Sequence, residues 1–189
     1  GDPYWANVVL LVGNDNQPDG TTTFDDQSGS NHTITTTGDA QYDTAQAPTG
    51  MTSSCVFDGT GDRLTAANSA DFKFGTGDFT VELMLRASAL GSAYRIFFQC
   101  ADDGSWSNGW TFDFTPTPNL EWYPTLSVGG TWNVDTWYHL AVARSGTSLK
   151  MFKNGVEATS ATNSTDLQPT RVLSIAGEST SSSNYQFTG

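Results

Sequence analysis

The chain has 189 residues, the length of one domain with enough chain to bury a hydrophobic core. Its 8 basic and 20 acidic residues give a net charge of −12, which disfavours binding to nucleic acids and to anionic membranes. Threonine and serine fill 46 positions, 16 of the 20 acids are aspartate, and no apolar run is long enough to span a membrane. This composition favours an all-β protein that does not insert into a membrane.

Alternating apolar residues predict a series of short strands, and no helical stripe exceeds two turns. Asn154-Gly155 predicts a type I′ hairpin turn, and Ser69–Phe72 predicts a single helical turn. About eleven or twelve short strands in one uninterrupted chain indicate two stacked antiparallel sheets. The strands predicted from the pattern are Val8–Val12, His32–Thr36, Cys55–Phe57, Phe79–Arg86, Arg95–Cys100, Trp110–Phe114, Leu120–Tyr123, Trp137–Arg144, Leu149–Lys153, Val156–Thr159 and Arg171–Ala176.

Four motifs, in this order and spacing, resemble a known family. They are Phe-Asp-Gly-x-Gly-Asp-x-Leu at 57–64, Phe-Gly-Thr-Gly-Asp-Phe-Thr-Val-Glu at 74–82, Trp-x-His-Leu-Ala-Val-x-Arg at 137–144, and Asn-Gly at 154–155. Together they resemble the laminin-G-like group of the concanavalin A-like lectin/glucanase superfamily over nearly the whole chain. The resemblance implies an all-β jelly-roll sandwich of two curved antiparallel sheets, with residues 1–189 as a single domain.

Both ends of the chain carry expectations of their own. The opening residues 2–11 resemble versions of this domain in bacteriophage structural and tail proteins, and the start without Met indicates processing or a longer protein. Members of the family usually close with one more strand after a segment like Tyr185–Gly189. We therefore expect this strand to be supplied from the same chain or from another, because an open sheet edge is an aggregation hazard.

Carbohydrate binding is the function that the side chains favour most. Sugars stack on aromatic rings, while Asp, Asn and backbone groups bind their hydroxyls. Trp106 and Trp132 lie in turn-like surroundings, whereas Trp110 and Trp122 lie on alternating strands where half-buried packing is the competing interpretation. The predicted ligand-binding residues are Trp106, Trp132, Trp110, Trp122, Asp103 and Asn108.

An acidic N-terminal loop suggests a structural calcium ion, because calcium takes oxygen ligands from Asp, Asn and backbone carbonyls. The family often holds calcium near such a loop, and the candidate ligands are Asp15, Asp26 and Asn31. Asx turns in a solvated loop are the alternative interpretation. Cys55 and Cys100 lie in phase with core residues, and the sequence leaves open whether they are two free thiols or a disulfide.

No catalytic constellation is evident. Enzymes of the superfamily carry several carboxylates on one strand, whereas the corresponding strand here carries Glu82 alone, and His139 is placed for a polar patch with it. We therefore expect a non-catalytic module that binds host-surface glycans on a virion and contacts neighbouring subunits, with formation of a homo-oligomer. A purely architectural module without a sugar ligand is the alternative, and a glycoside hydrolase is the less favoured third.

Overall fold

The computed structural model describes residues 3–13, 17–102, 105–178 and 185–189, with the backbone alone for residues 102 and 105–107. Strands dominate, and the described helical residues form two short 3-10 turns, Trp5–Asn7 and Ala70–Phe72. The strands are β1 (Ile34–Thr37), β2 (Gln41–Asp43), β3 (Ser54–Val56), β4 (Arg63–Ala66), β5 (Phe79–Arg86), β6 (Arg95–Asp102), β7 (Ser105–Phe114), β8 (Leu120–Tyr123), β9 (Leu126–Val128), β10 (Trp137–Ser145), β11 (Ser148–Lys153), β12 (Val156–Thr162) and β13 (Leu173–Ile175).

The strands form two main antiparallel sheets whose inward residues share one hydrophobic core. The seven-stranded sheet has the order β1-β4-β13-β6-β7-β8-β9, and the four-stranded sheet has the order β12-β11-β10-β5. A separate ribbon pairs β2 with β3. The described residues include no helix long and apolar enough to cross a membrane. The predicted all-β jelly-roll sandwich of antiparallel sheets is confirmed.

Four aromatic rings join the two sheets inside the core. Phe79 of β5 stacks on Trp122 of β8, and Trp122 stacks on Trp110 of β7, with ring centroids 5.2 and 5.1 Å apart. Phe74 stacks on both Trp110 and Phe79, with ring centroids 5.1 and 4.4 Å apart, so the four rings contact one another in a closed set. Because each such ring buries roughly 150–250 Å², this aromatic stack contributes strongly to the contact between the sheets.

A buried arginine holds two loops against the aromatic stack. The Arg144 guanidinium lies 5.0 Å from the centroid of the Phe79 ring, and its side chain is fully buried. Its N–H groups donate to the carbonyl oxygens of Gly75, Gly77 and Thr165 at 2.6, 2.8 and 2.8 Å. These backbone acceptors satisfy the buried charge, which would otherwise be costly. Arg144 therefore fixes the segments before β5 and after β12.

The predicted hairpin turn at Asn154-Gly155 and the predicted helical turn at Ser69–Phe72 are both confirmed. Asn154 and Gly155 have φ values of 52° and 76°, as the type I′ turn between β11 and β12 requires. The helical turn near Ser69 is present, and the Ser69 hydroxyl accepts from the Asp71 N–H at 3.2 Å. No disulfide joins Cys55 to Cys100, which decides the alternative that the sequence left open.

The predicted strand Val8–Val12 is wrong. No described strand pairs with this segment. Leu11 instead forms hydrogen bonds with the loop that follows. Its N–H donates to Asp26 Oδ1 at 3.0 Å, and its backbone oxygen accepts from the Gln27 N–H at 2.9 Å. Three short strands, β2, β4 and β9, lacked a clear apolar alternation and were not predicted. Leu10 and Val12 nevertheless pack on the core, which explains the apolar run.

The aromatic stack predicts a large loss of stability when one ring is removed. Trp122→Ala is expected to lower the free energy of unfolding by about 3–5 kcal/mol, because it leaves a cavity between the sheets. Urea unfolding followed by fluorescence and far-UV circular dichroism measures this change. Val156→Ala, at a residue that is 70% exposed, is the control and should stay within about 0.5 kcal/mol of the wild type. Equal losses in the two variants would contradict the central role of the stack.

Candidate functional site

Two of the predicted sugar-binding tryptophans lie in the core. Trp110 and Trp122 are 2% and 1% exposed and belong to the aromatic stack. The prediction that they contact a ligand is wrong, because their side chains point between the sheets, where no sugar reaches them. The competing interpretation, packing on alternating strands, is the one that the structure supports.

The other predicted ligand-binding residues have mixed positions. Trp132 is half-buried against Phe114, with ring centroids 4.7 Å apart, and the Lys153 ammonium lies 3.9 Å from the centre of its ring. Its ring is therefore occupied by internal contacts, and sugar stacking there stays a prediction. Asn108 is exposed, and its backbone oxygen accepts from the Gln168 N–H at 3.0 Å. Asp103 and the side chain of Trp106 lie outside the described residues.

Asp26, one of the three predicted calcium ligands, does not fit a metal site. Asp26 is buried, and both of its carboxylate oxygens already accept hydrogen bonds, from the N–H groups of Leu11, Ser28 and His32 at 2.8–3.0 Å and from the Ser28 hydroxyl. Burial raises the pKa of Asp26, but these hydrogen bonds outweigh burial and hold it below its usual value. The assignment of Asp26 as a ligand is therefore wrong, since its oxygens organise the loop.

Asn31 and Asp15 are the other two predicted calcium ligands, and their role as ligands stays a prediction. Asn31 is exposed and has a φ of 49°, so it serves as a left-handed turn residue. Asp15 lies outside the described residues. Three other carboxylates, those of Asp39, Asp58 and Asp62, do come within 4.8 Å of one another. Both Asp62 oxygens accept backbone N–H groups, from Asp39 at 2.8 Å and Asp58 at 2.9 Å, so this group also organises a loop.

The strongest candidate site lies on the outer face of the seven-stranded sheet. Because Trp110, Phe112 and Phe114 of β7 point inward, the alternate residues Thr111 and Asp113 point outward. Antiparallel pairing places Asp113 directly opposite Glu121 of β8. Directly paired residues have Cβ atoms roughly 4.5–5.5 Å apart, so two carboxylates are neighbours on this face.

Polar side chains continue across the same face. Thr111 is paired with Tyr123 of β8 and with Gln99 of β6, and Gln99 is paired with Ser174 of β13. Paired residues share a face, so these side chains form one row across four strands. Gln99, Thr111 and Ser174 are at most 3% exposed. The row is therefore a polar floor, with Tyr123 as its more accessible member and Glu121, two residues before Tyr123 on β8, as an accessible neighbour.

Two exposed tyrosines stand beside the carboxylates. Tyr94, just before β6, packs edge-to-face on Tyr185, with ring centroids 5.7 Å apart, and the rings are 39% and 37% exposed. The Tyr185 oxygen accepts from the Ile96 N–H of β6 at 3.4 Å, which holds this segment on the sheet. Partial burial raises the pKa of Tyr94, and the charges of Glu121 and Asp113 raise it further. We call Tyr94, Asp113, Glu121, Tyr123 and Tyr185 the outer-face cluster.

The electrostatics of this cluster are unusual. Burial raises the pKa of Asp113 to about 7, with a further rise from the charge of Glu121 and an opposing effect of a hydrogen bond with Thr111. Burial also raises the pKa of Glu121. The Asp113 Oδ1 is buried and has no hydrogen-bond partner, and no ion pair among the described residues involves either carboxylate. The outer-face cluster therefore holds two uncompensated acids beside aromatic rings.

Sequence reasoning missed this cluster, although one signal was present. Asp113 and Glu121 are equidistant from the centre of the loop that joins two predicted strands, so hairpin pairing alone would place them opposite each other. The partnership of Tyr94 with Tyr185 had no such signal, because the two residues come from distant loops. The predicted polar patch of Glu82 and His139 is present on the four-stranded sheet, with Glu82 Oε2 and His139 Nε2 3.1 Å apart.

A second concave feature follows the free edge of β5. A groove of about 330 Å³ lies between the two sheets, lined by apolar residues that include Leu10, Val12, Leu83, Leu85 and Phe97. Among the described residues, β10 is the one strand that pairs with β5. The expectation of a further closing strand stays a prediction, and this groove is where such a strand would find apolar contacts.

Comparison with known proteins agrees with this architecture. The model of the Laminin_G_3 family, described as Concanavalin A-like lectin/glucanases superfamily, matches residues 58–189. The chain belongs to this family. The residues of the outer-face cluster all lie within the matched part of this laminin G-like domain. No curated protein matches its sequence.

Solved structures with the same fold are distant in sequence. Domain 4 of AbnA, a GH43 extracellular arabinanase from Geobacillus stearothermophilus in complex with arabinotriose, has a TM-score of 0.60 at 18% identity, over 87% of this chain and 81% of that domain. The F1240A mutant of HCR/D has a TM-score of 0.66 at 14% sequence identity, and the match covers 90% of this chain and 43% of that chain. Trypanosoma rangeli sialidase has a TM-score of 0.58 at 12% sequence identity, and the match covers 95% of this chain and 29% of that chain. This laminin G-like domain spans less than half of the last two proteins.

Asp26 is expected to stabilise the N-terminal loop without a metal. Asp26→Ala removes the acceptor of three backbone N–H groups and should lower the free energy of unfolding by roughly 2–4 kcal/mol, since each buried donor left unpaired costs about 1–3 kcal/mol. Urea unfolding with and without calcium chloride measures the loss. The exposed neighbour provides the control, Asp25→Ala, which should change little. A wild-type protein that calcium stabilises and an Asp26→Ala variant that it does not would instead restore the ligand assignment.

Asp113 predicts a pH-dependent stability. A carboxyl whose folded pKa is about 7, above its ordinary value of about 3.9, contributes stability in full below pH 4 and loses it as the pH rises through 7. Asp113→Asn should therefore be more stable than the wild type at pH 8, by at least about 1 kcal/mol, with a smaller difference at pH 5. Urea unfolding at the two pH values measures this, with Asp25→Asn as the control. A difference that is independent of pH would contradict the raised pKa.

Proposed function

We propose that this laminin G-like domain is a glycan-binding module and that the outer-face cluster is its binding site. The observation that carries the proposal is the pairing of two exposed tyrosine rings, Tyr94 and Tyr185, with the outward carboxylates Asp113 and Glu121. Rings provide a surface for the apolar face of a sugar, and carboxylates accept hydrogen bonds from its hydroxyl groups. Gln99 and Thr111, each 3% exposed, lie beneath them in the polar floor and support the site from below.

The comparisons support glycans as the first ligands to test. The family belongs to a superfamily of lectins and glucanases, and the arabinanase domain with the same fold is a complex with arabinotriose. Its sequence identity of 18% transfers the fold alone, so the identity of the sugar is left to experiment.

We propose that the site binds without cleaving. Glycosidases need one protonated acid and one ionised base or nucleophile, whose environments push their pKa values apart. Both groups must also reach the glycosidic bond. Asp113 is 3% exposed, which keeps its carboxyl group away from the anomeric carbon of a surface-bound sugar.

The proposed setting is the surface of a virion or another extracellular assembly. The support is the resemblance of the opening residues to domains of phage structural proteins, together with the acidic composition, which keeps a repeated module soluble. Several copies, as a homo-oligomer beside other subunits, would multiply a weak affinity for a host-surface glycan.

Removal of the tyrosine rings is the direct test of this function. On a glycan array, the wild-type domain is expected to bind at least one class of oligosaccharide. Tyr94→Ala and Tyr185→Ala should each weaken that binding by roughly tenfold or more, since one stacked ring contributes about 1–3 kcal/mol. Trp5→Ala removes an aromatic ring of 48% exposure that does not belong to the outer-face cluster and should leave binding unchanged.

Three outcomes would count against the proposal. A folded domain that binds no glycan would favour the architectural alternative. Binding that survives both tyrosine substitutions would place the site elsewhere. Release of reducing ends from a bound oligosaccharide would show hydrolysis and contradict the non-catalytic role.

A further inference from the structure

The outer-face cluster carries more negative charge than a site for a neutral sugar requires. Asp113 and Glu121 are direct neighbours, and neither forms an ion pair with a Lys or Arg side chain of the described residues. The Asp113 Oδ1 is buried and accepts no hydrogen bond. Polar atoms buried to this degree normally have a partner, so this oxygen is an acceptor that a bound donor can satisfy.

From this geometry we infer that the outer-face cluster selects a cationic glycan, namely an oligosaccharide of sugars with a protonated amino group. This inference rests on the proposed function and names its ligand class. Glu121, the more accessible carboxylate, accepts from the ammonium group of the sugar. Asp113 lies beneath and supplies a second negative charge, and the rings of Tyr94 and Tyr185 cover the bound group.

A cation satisfies this site better than a hydroxyl group. Two adjacent carboxylates repel each other when both are ionised, which favours the protonated form of Asp113, and a hydroxyl donor brings no positive charge to reverse this. An ammonium group offsets both charges at once, because Coulomb attraction is strong where water is largely excluded. Tyrosine faces are the negative part of the ring quadrupole and attract cations as well. The net charge of −12 adds long-range attraction for cationic ligands and repels acidic glycans.

The basic side chains of the described residues form no ion pair with Asp113 or Glu121. Arg95 of β6 donates through Nη1 to the Gln186 oxygen at 2.9 Å. Arg63 shares the outer face, but it lies on β4, three strands away from β7 in the sheet order. The titratable groups that face Asp113 are therefore Glu121 and Tyr123 of β8, Tyr94 and Tyr185. None of these four groups brings a positive charge.

An organic ammonium fits the cluster better than a metal ion does. Calcium takes six to eight oxygen ligands, mostly carboxylates and carbonyls. The cluster offers two carboxylates, and the groups around them are aromatic rings. Rings are suited to an alkylammonium group, whose surface is partly apolar.

Matched oligosaccharides test the inference. The probes are a β-1,4-linked glucosamine tetramer and the same tetramer with every amine acetylated, which removes the charge and keeps the backbone. Isothermal titration calorimetry at pH 5.5 is expected to give at least tenfold tighter binding of the amine form. Because Asp113 is protonated at this pH and ionises in the complex, binding should also release protons, seen as an enthalpy that depends on the buffer.

Two variants and one control assign the selectivity to the cluster. Glu121→Gln and Asp113→Asn keep the shape of the site and should each reduce the preference for the amine form to threefold or less. Glu82→Gln removes an exposed charge from the four-stranded sheet and should leave the preference intact. Thermal unfolding of every variant confirms that it is folded, and the conservative amide substitutions keep the test valid.

The outcomes separate the inference from the proposed function. Equal binding of the two tetramers would overturn the inference and leave glycan binding in place. A domain that is folded and binds neither tetramer nor any other glycan would overturn both. Loss of selectivity in Glu82→Gln would show that general surface charge is responsible, and competition by calcium chloride at matched ionic strength would show a metal site; either result would overturn the inference.

Discussion

The aromatic stack of Phe74, Phe79, Trp110 and Trp122 is the contact from which the rest of the arrangement follows. It fixes which residues of β7 and β8 point between the sheets, because a strand that turns one set of side chains inward must turn the alternate set outward. Asp113 and Glu121 therefore face away from the core, opposite each other. A shift of one residue in either strand would bury carboxylates between the sheets and expose tryptophans.

The outer face of the seven-stranded sheet combines buried polar side chains with carboxyl groups that have no basic partner among the described residues. Its polar floor is covered, whereas Tyr94 and Tyr185 remain partly exposed at the rim. Covering the floor raises the pKa of the carboxyl groups, and no basic side chain of the described residues compensates for them. Elsewhere the fold does compensate buried charge, as the carbonyl groups around Arg144 and the N–H groups around Asp26 show. On the outer face, by contrast, the buried Asp113 Oδ1 has no such partner.

The sequence predicted the fold well because its signals are local and repeated. Alternation along Phe79–Arg86 and the Asn154-Gly155 turn depend on neighbouring residues alone, and both are present as expected. The candidate site was predicted poorly, since alternation does not tell which face of a strand is buried until its partners are known. Trp110 and Trp122 were therefore assigned to a ligand although they pack in the core. Tyr94 and Tyr185 meet only because residues 185–187 fold back onto β6 and β13, a long-range contact without a local signal.

The most direct test of the account is to map where a glycan binds. In heteronuclear NMR spectra, titration with the glucosamine tetramer should shift the backbone amide signals of β6, β7, β8 and residues 185–187, and leave the signals of β5 and Leu10–Val12 unchanged. This result would place the ligand on the outer face of the seven-stranded sheet. Shifts confined to β5 and Leu10–Val12 would place it in the apolar groove instead, and would contradict the assignment of the outer-face cluster as the binding site.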